Sequence, residues 1–191
     1  MKKISFVILL VIFVLSLGLN LKVIQEKNRN KEIMINNLYT TIIEVIRELE
    51  SFVATVDEND INKAKSKLVH AAIGLIEVDN QIKYGTMYVD NQLYHPGILS
   101  FRFIGEGLIY GTNVNGMTIK SIFEDDVVSD SENEYINRLN TDLKNIVKEL
   151  TLKEPYIPNE KLSIKNLNDI FGSFYNTWSH IDEAPYELVW E

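Results

Sequence analysis

The chain of 191 residues contains no cysteine. This absence excludes disulfide staples, thiolate metal sites and a cysteine nucleophile, and it suits a protein that folds after export without redox help. Histidine is scarce as well. His70, His95 and His180 stand far apart, and none has a second ligand at metal-binding spacing. No HExxH, P-loop, GxGxxG or GxSxG pattern occurs. The acidic stretch with Asp126, Asp130, Glu132 and Glu134 offers oxygens for calcium, but the EF-hand pattern fails. Counted from Asp130, its glycine and glutamate positions hold Tyr135 and Thr141. The sequence therefore points to no metal and no cofactor, singles out no catalytic residue, and is read as non-enzymatic.

Basic charge is sparse outside one end. Residues 1–32 carry six basic groups (Lys2, Lys3, Lys22, Lys27, Arg29 and Lys31) against Glu26 and Glu32, a balance of +4 in a chain whose net charge is −8. The remainder, at −12, repels phosphate backbones, which argues against nucleic acid as a partner. Beside an apolar segment, Lys22, Lys27, Arg29 and Lys31 suit anionic lipid headgroups. The abundance of Asn, Ile and Lys has a bacterial flavour.

What the chain does have is a long apolar opening, MKKISFVILLVIFVLSLGLNLKVI. No charge interrupts it from Ile4 to Leu19. As a cleaved signal it would rely on Ser16 and Gly18, a mediocre site. As an anchor, Ile4 to Ile24 supplies the roughly 20 residues that cross about 30 Å of hydrocarbon. Lys22 can snorkel to the interface. No proline or glycine pair separates this segment from the helix-favouring stretch that follows, and a retained anchor is the preferred reading. The short basic N-terminus favours an exported body, although more Lys and Arg follow the span than precede it.

Apolar periodicity organises the rest. Met34, Leu38, Ile42, Val45, Leu49, Phe52 and Val56 recur at helical spacing, as do Ile61, Ala64, Leu68, Ala71, Leu75, Val78 and Ile82 after a turn capped by Asp60. So short a connection predicts an antiparallel hairpin, with Ala64 and Ala71 allowing close approach to Leu49 and Phe52. The first stripe could also form a coiled-coil homodimer. A short, buried central helix is expected from Pro96 to about Tyr110, with a strand hairpin around YGTNVNGMTI as the competing structure. Ser131 and Glu134 have capping-box spacing for a helix carrying Ile136, Leu139, Leu143, Ile146 and Leu150. Ser163 opens a last helix with Leu167, Ile170, Phe174, Trp178 and Ile181. Tyr186 and Trp190 in the tail can clip back onto the bundle.

The expected fold is all-α: an N-terminal transmembrane helix (1–24), a basic juxtamembrane segment (25–32), an antiparallel bundle of about four to five helices (33–184) and a tail (185–191). Arg102 and Glu106, spaced i and i+4 on an apolar helix and set among Tyr88, Tyr94, His95 and Tyr110, form the candidate ligand-binding group. A structural ion pair explains the same two residues. The functional expectation is a membrane-anchored extracytoplasmic module of the bacterial envelope that binds another envelope protein or senses a ligand. The alternatives are an envelope hydrolase using a titratable pair such as His95 and Glu106, and a cytosolic regulator tethered to the inner leaflet.

Overall fold

The structure, a computed structural model, describes residues 2–57, 60–96, 101–114, 117–121, 124, 127–152, 157–178 and 181–183. Side chains are described throughout these ranges except at 2–9, 57, 113, 114, 117, 118 and 181–183. The described residues form five helices, α1 (Lys2–Asp57), α2 (Ile61–Tyr88), α3 (Phe101–Tyr110), α4 (Asp130–Leu150) and α5 (Ile164–Trp178). Three short strands, β1 (Thr112–Val114), β2 (Met117–Ile119) and β3 (Ile181–Glu183), add a small antiparallel sheet in the order β2-β1-β3. The helical bundle is as expected. The sheet is the addition, and its β1–β2 pair is the hairpin that competed with a wholly helical reading.

α1 and α2 form the hairpin that the stripes demand. Every position of the first stripe from Met34 to Phe52 is buried, as is every position of the second from Ala64 to Ile82. Gln81 Nε2 donates to Thr41 Oγ1 at 3.0 Å and Asn30 Nδ2 to the Tyr88 carbonyl at 3.3 Å, which fixes the antiparallel register. Asp60 caps α2 through the Lys63 amide at 3.2 Å. The first stripe is thus spent inside the chain, and a homodimer would have to use another face.

α3 lies against α2. A Cβ added at Gly105 would come within 2.7 Å of the Ala72 carbonyl oxygen, so only glycine lets the two backbones approach this closely. Gly111 then ends α3 at a φ of 89°, its amide donating to the Gly107 carbonyl at 2.9 Å. The cap of α4 lies two residues earlier than expected. Ser129, not Ser131, accepts from the Glu132 amide, and the Glu132 carboxylate accepts from the Ser129 amide at 2.6 Å. Glu132 Oε1 also accepts from the Lys120 amide at 3.0 Å, which binds the helix start to the sheet. Residue 132 prevails because its carboxylate is buried and serves two backbone donors. α5 starts after Ser163, whose hydroxyl accepts from the Asn166 amide at 3.1 Å.

The core joins the inner faces of all five helices. Its aromatic centre stacks Phe101 of α3 on Phe174 of α5 with centroids 4.5 Å apart, and Tyr135 of α4 meets Trp178 edge-on at 5.1 Å. Trp178 Nε1 donates to Asp142 Oδ2 at 3.1 Å, giving the indole its polar partner.

The transmembrane helix expected over residues 1–24 is not supported by the described residues, among which no helix is long and apolar enough to cross a membrane. α1 itself passes residues 24 and 32 without a break. The tail, with Tyr186 and Trp190, lies outside the described residues, as does His180.

Candidate functional site

Helical spacing draws an acid into the core. Leu75, Val78 and Ile82 turn the inner face of α2 towards α3 and the rest of the bundle, and Asp79, four residues on from Leu75, turns with them. Asp79 is 3% exposed. An isolated carboxylate there would cost several kcal/mol in lost hydration, so its partners decide whether the fold tolerates it. His95 Nε2 lies 3.1 Å from Asp79 Oδ1, and Arg102 Nε lies 3.7 Å from Oδ2. Arg102 reaches further: Nη2 donates to Asn80 Oδ1 at 2.9 Å, and Nη1 lies 3.6 Å from Glu106 Oε1 across one turn of α3.

Aromatic rings wall one side. Tyr175 contacts Tyr94 edge-on at 6.0 Å and Phe101 at 5.6 Å. Its hydroxyl is buried without a hydrogen-bond partner among the described residues. Burial pushes this phenol well above its ordinary pKa, and the charge of Asp79 and the neighbouring Tyr94 push in the same direction. Asn168 fastens the 90s segment to α5: its Oδ1 accepts from the Tyr94 amide at 2.7 Å and its Nδ2 donates to the Gln92 carbonyl at 2.8 Å.

Of the expected ligand-binding residues, the structure gathers Arg102, Glu106 and His95 around Asp79, with Tyr94 adjoining through Tyr175. Tyr88 and Tyr110 are not part of this cluster. Tyr88 ends α2 at the level of Asn30, and Tyr110 ends α3; both are exposed. Asp79 and Asn80 are the members that sequence reasoning missed. The available signal was a charged residue inside the apolar stripe of α2. The hydrolase alternative paired His95 with Glu106, whereas His95 is directed at Asp79. The contacts of Asp79 with His95 and Arg102, and of Arg102 with Asn80 and Glu106, have the geometry of a clasp that holds α2, α3 and the 90s segment together, while Glu106 Oε2 is buried without a hydrogen-bond partner among the described residues.

The chain matches no protein-family model, and comparison with curated proteins and with solved structures finds no similar chain. Function must therefore be argued from this molecule's own surface.

Open grooves lie between α4 and α5, where one of about 490 Å³ is lined by Asp142, Ile146, Ile170 and Phe174 among others, and along the outer side of the α1–α2 hairpin. A groove of about 430 Å³ is lined by Asn30, Ile33, Met34, Gln81, Tyr84 and Tyr88, among others. A second, of about 500 Å³, continues past Glu77, which lines both, to Val45, Glu48, His70 and Ile73. Ile33, Ile73, Tyr84 and Tyr88 are each about half exposed or more. His70 belongs to this surface, 3.8 Å from Glu48 and far from the other described histidine.

The basic residues expected at lipid headgroups divide into two groups. Lys22, Lys27 and Arg29 are exposed on α1, Lys22 lying 3.8 Å from Glu26. Lys31 turns inward instead, and its ammonium donates to the Leu162 carbonyl at 2.9 Å. That bond ties the turn before α5 to α1. Among the described residues, no group of three acidic or histidine side chains could hold a metal ion.

Proposed function

We propose that this chain is a membrane-anchored, non-enzymatic helical module of the bacterial envelope whose extracytoplasmic body binds another envelope protein. The observation that carries the reading is the continuity of α1. One unbroken helix passes from an exposed apolar stretch, Leu10 to Ile24, into the stripe from Met34 to Phe52 that is buried in the core. An exposed stretch of leucine, isoleucine, valine and phenylalanine over several turns is unfavourable in water and favourable in lipid. With residues 4–9 taken from the sequence, the apolar segment extends to about 31 Å, enough for a bilayer.

The continuity has a mechanical meaning. An anchor joined to its domain by a flexible linker only localises that domain, whereas an anchor that shares a helix with the core also sets its height and tilt. Such a body presents a defined face sideways along the membrane. The outer side of the α1–α2 hairpin, with Ile33, Ile73 and Tyr84, is the face suited to a neighbouring envelope protein. Arg102 and Glu106 serve the Asp79 clasp in this reading.

The test is protease shaving of cells stripped of their wall, using the full chain with a C-terminal epitope, together with photo-crosslinking from Ile73 and Tyr84. A full-length, membrane-bound band that loses its epitope on shaving, with a discrete crosslinked adduct from either position, is the expected result. A shortened soluble band would overturn the anchor. A protected epitope would place the body in the cytoplasm, and the absence of any adduct would remove the protein-binding face.

A further inference from the structure

α2 returns towards the start of α1, so its last turn lies at the membrane-proximal end of the bundle. The Tyr88 carbonyl accepts from Asn30, six residues beyond Ile24. At about 1.5 Å per residue, this places the end of α2 roughly 9 Å from the hydrocarbon edge. The headgroup layer on each side of a bilayer is itself about 5–7 Å thick. A long side chain on this turn therefore reaches lipid.

The residues on this turn are unusual for a surface. Met87 is 67% exposed and Tyr88 62%, values that leave both side chains almost wholly outside the core. Methionine and tyrosine gain little in open water, but tyrosine suits the headgroup level, where its ring is partly dehydrated and its hydroxyl remains hydrated. The neighbouring turn before α5 is held at the same end by Lys31 on Leu162 and by Asn36 on Glu160 at 2.9 Å. It presents exposed Ile157 and Lys161.

Charge points the same way. Lys22, Lys27, Arg29, Lys83, Lys161 and Lys165 are exposed at this end, with Glu26, Glu32, Asp90, Glu160 and Asp169 as the acids among them. The end thus carries a small positive excess in a chain of net charge −8. An anionic bilayer would attract it and repel the remainder of the body.

We infer that the membrane-proximal end of the bundle is a lipid-binding surface, with Met87 and Tyr88 entering the interface and Lys27, Arg29 and Lys83 meeting anionic headgroups. This rests on the anchor proposed above. The body then sits down on the bilayer instead of standing clear of it, and the α1–α2 groove opens directly above the headgroups. A partner that fills the groove would itself be seated at the membrane surface.

Because the chain has no cysteine, single substitutions accept a spin label at one position only. The full chain carrying Met87→Cys, Ile73→Cys or Leu15→Cys is reconstituted in vesicles of phosphatidylcholine alone or mixed with phosphatidylglycerol. Collision of each label with oxygen and with a water-soluble nickel chelate is then measured. All three positions are exposed, so the fold tolerates the change. The expected result is a loss of nickel accessibility at Met87 relative to Ile73 that deepens with phosphatidylglycerol, while Leu15 is protected in both vesicles. Reversing charge at Lys27, Arg29 and Lys83 to glutamate should restore nickel access at Met87 and leave Leu15 unchanged. Equal access at Met87 and Ile73 with Leu15 protected overturns the lipid-binding surface alone. An accessible Leu15 overturns the anchor itself. Protection at Met87 that ignores phosphatidylglycerol overturns the role of anionic headgroups.

Discussion

The pair Asp79 and Arg102 separates a clasp from a ligand site. At 3.7 Å and an effective dielectric of about 20, two unit charges attract by roughly 4 kcal/mol before any loss is counted. The Arg102 side chain is 42% exposed, so water screens the pair well below that figure. A coupling of about 1–2 kcal/mol remains, above the ~0.2–1 kcal/mol of fully exposed pairs and below the several kcal/mol of buried ones. The assay is a double-mutant cycle with Asp79→Asn, Arg102→Met and the two combined. Each full-length chain is unfolded by urea in detergent and followed by the fluorescence of buried Trp178. Asparagine preserves the shape of Asp79 and an acceptor for His95. Methionine preserves most of the stem of Arg102 but leaves Asp79 with one partner fewer, and Arg102→Met should cost about 2–3 kcal/mol. Additive single effects, within about 0.5 kcal/mol, would refute the clasp. An Arg102→Met chain as stable as the parent would return this arginine to the ligand-binding role suggested by its spacing.

Three further outcomes follow from local geometry. Tyr135 and Tyr175 are buried phenols raised far above their ordinary value of about 10. Their contribution is intact below that value and is lost as pH rises past it, because the unfolded chain releases protons that the folded chain retains. Near pH 11 the two together should remove roughly 3 kcal/mol of stability. The Tyr135→Phe/Tyr175→Phe chain should resist alkaline unfolding by that margin, and an unchanged alkaline midpoint would count against it. Gly105→Ala drives a methyl to 2.7 Å from the Ala72 carbonyl, whereas nothing lies within 4 Å of a methyl at Gly172 in α5. The first should destabilise by about 1 kcal/mol after its helix-propensity gain, and the second should stabilise by about 0.5–1 kcal/mol, both read from urea midpoints. Ser129→Ala removes the cap of α4 and should cost about 1 kcal/mol with no change in the slope of unfolding.

The helices were legible because burial is periodic. The stripes from Met34 to Phe52 on α1 and from Ile136 to Leu150 on α4 lie in the core, whereas Ile181, expected on the last helix, falls on β3 after α5 has ended at Trp178. Position along the chain was less legible where two residues could do the same work. Ser129 and Ser131 both precede a glutamate at capping distance, and only the Lys120 amide, brought in by the β2 side of the sheet, favours Glu132. The β1–β2 strands carried a turn signal but too few residues to outweigh the apolar run before them.

The site was half legible for a related reason. Arg102 and Glu106 stood out because charge is conspicuous on a helix otherwise apolar all round. Asp79 did not, because it follows Val78 on a helix with many polar residues on its other face. Only the angular position of residue 79, between Leu75 and Ile82, places it inside. That position also changes what Arg102 means. An arginine alone among aromatics invites an external anion, whereas an arginine facing a buried carboxylate already has one. The charge conspicuous in the sequence is thus the answer to a charge that only its angular position on α2 reveals. In the reading proposed above, the face offered to a partner is not the polar centre but the outer side of α1 and α2, where Ile33, Ile73 and Tyr84 stay exposed although both helices supply the core with their opposite faces.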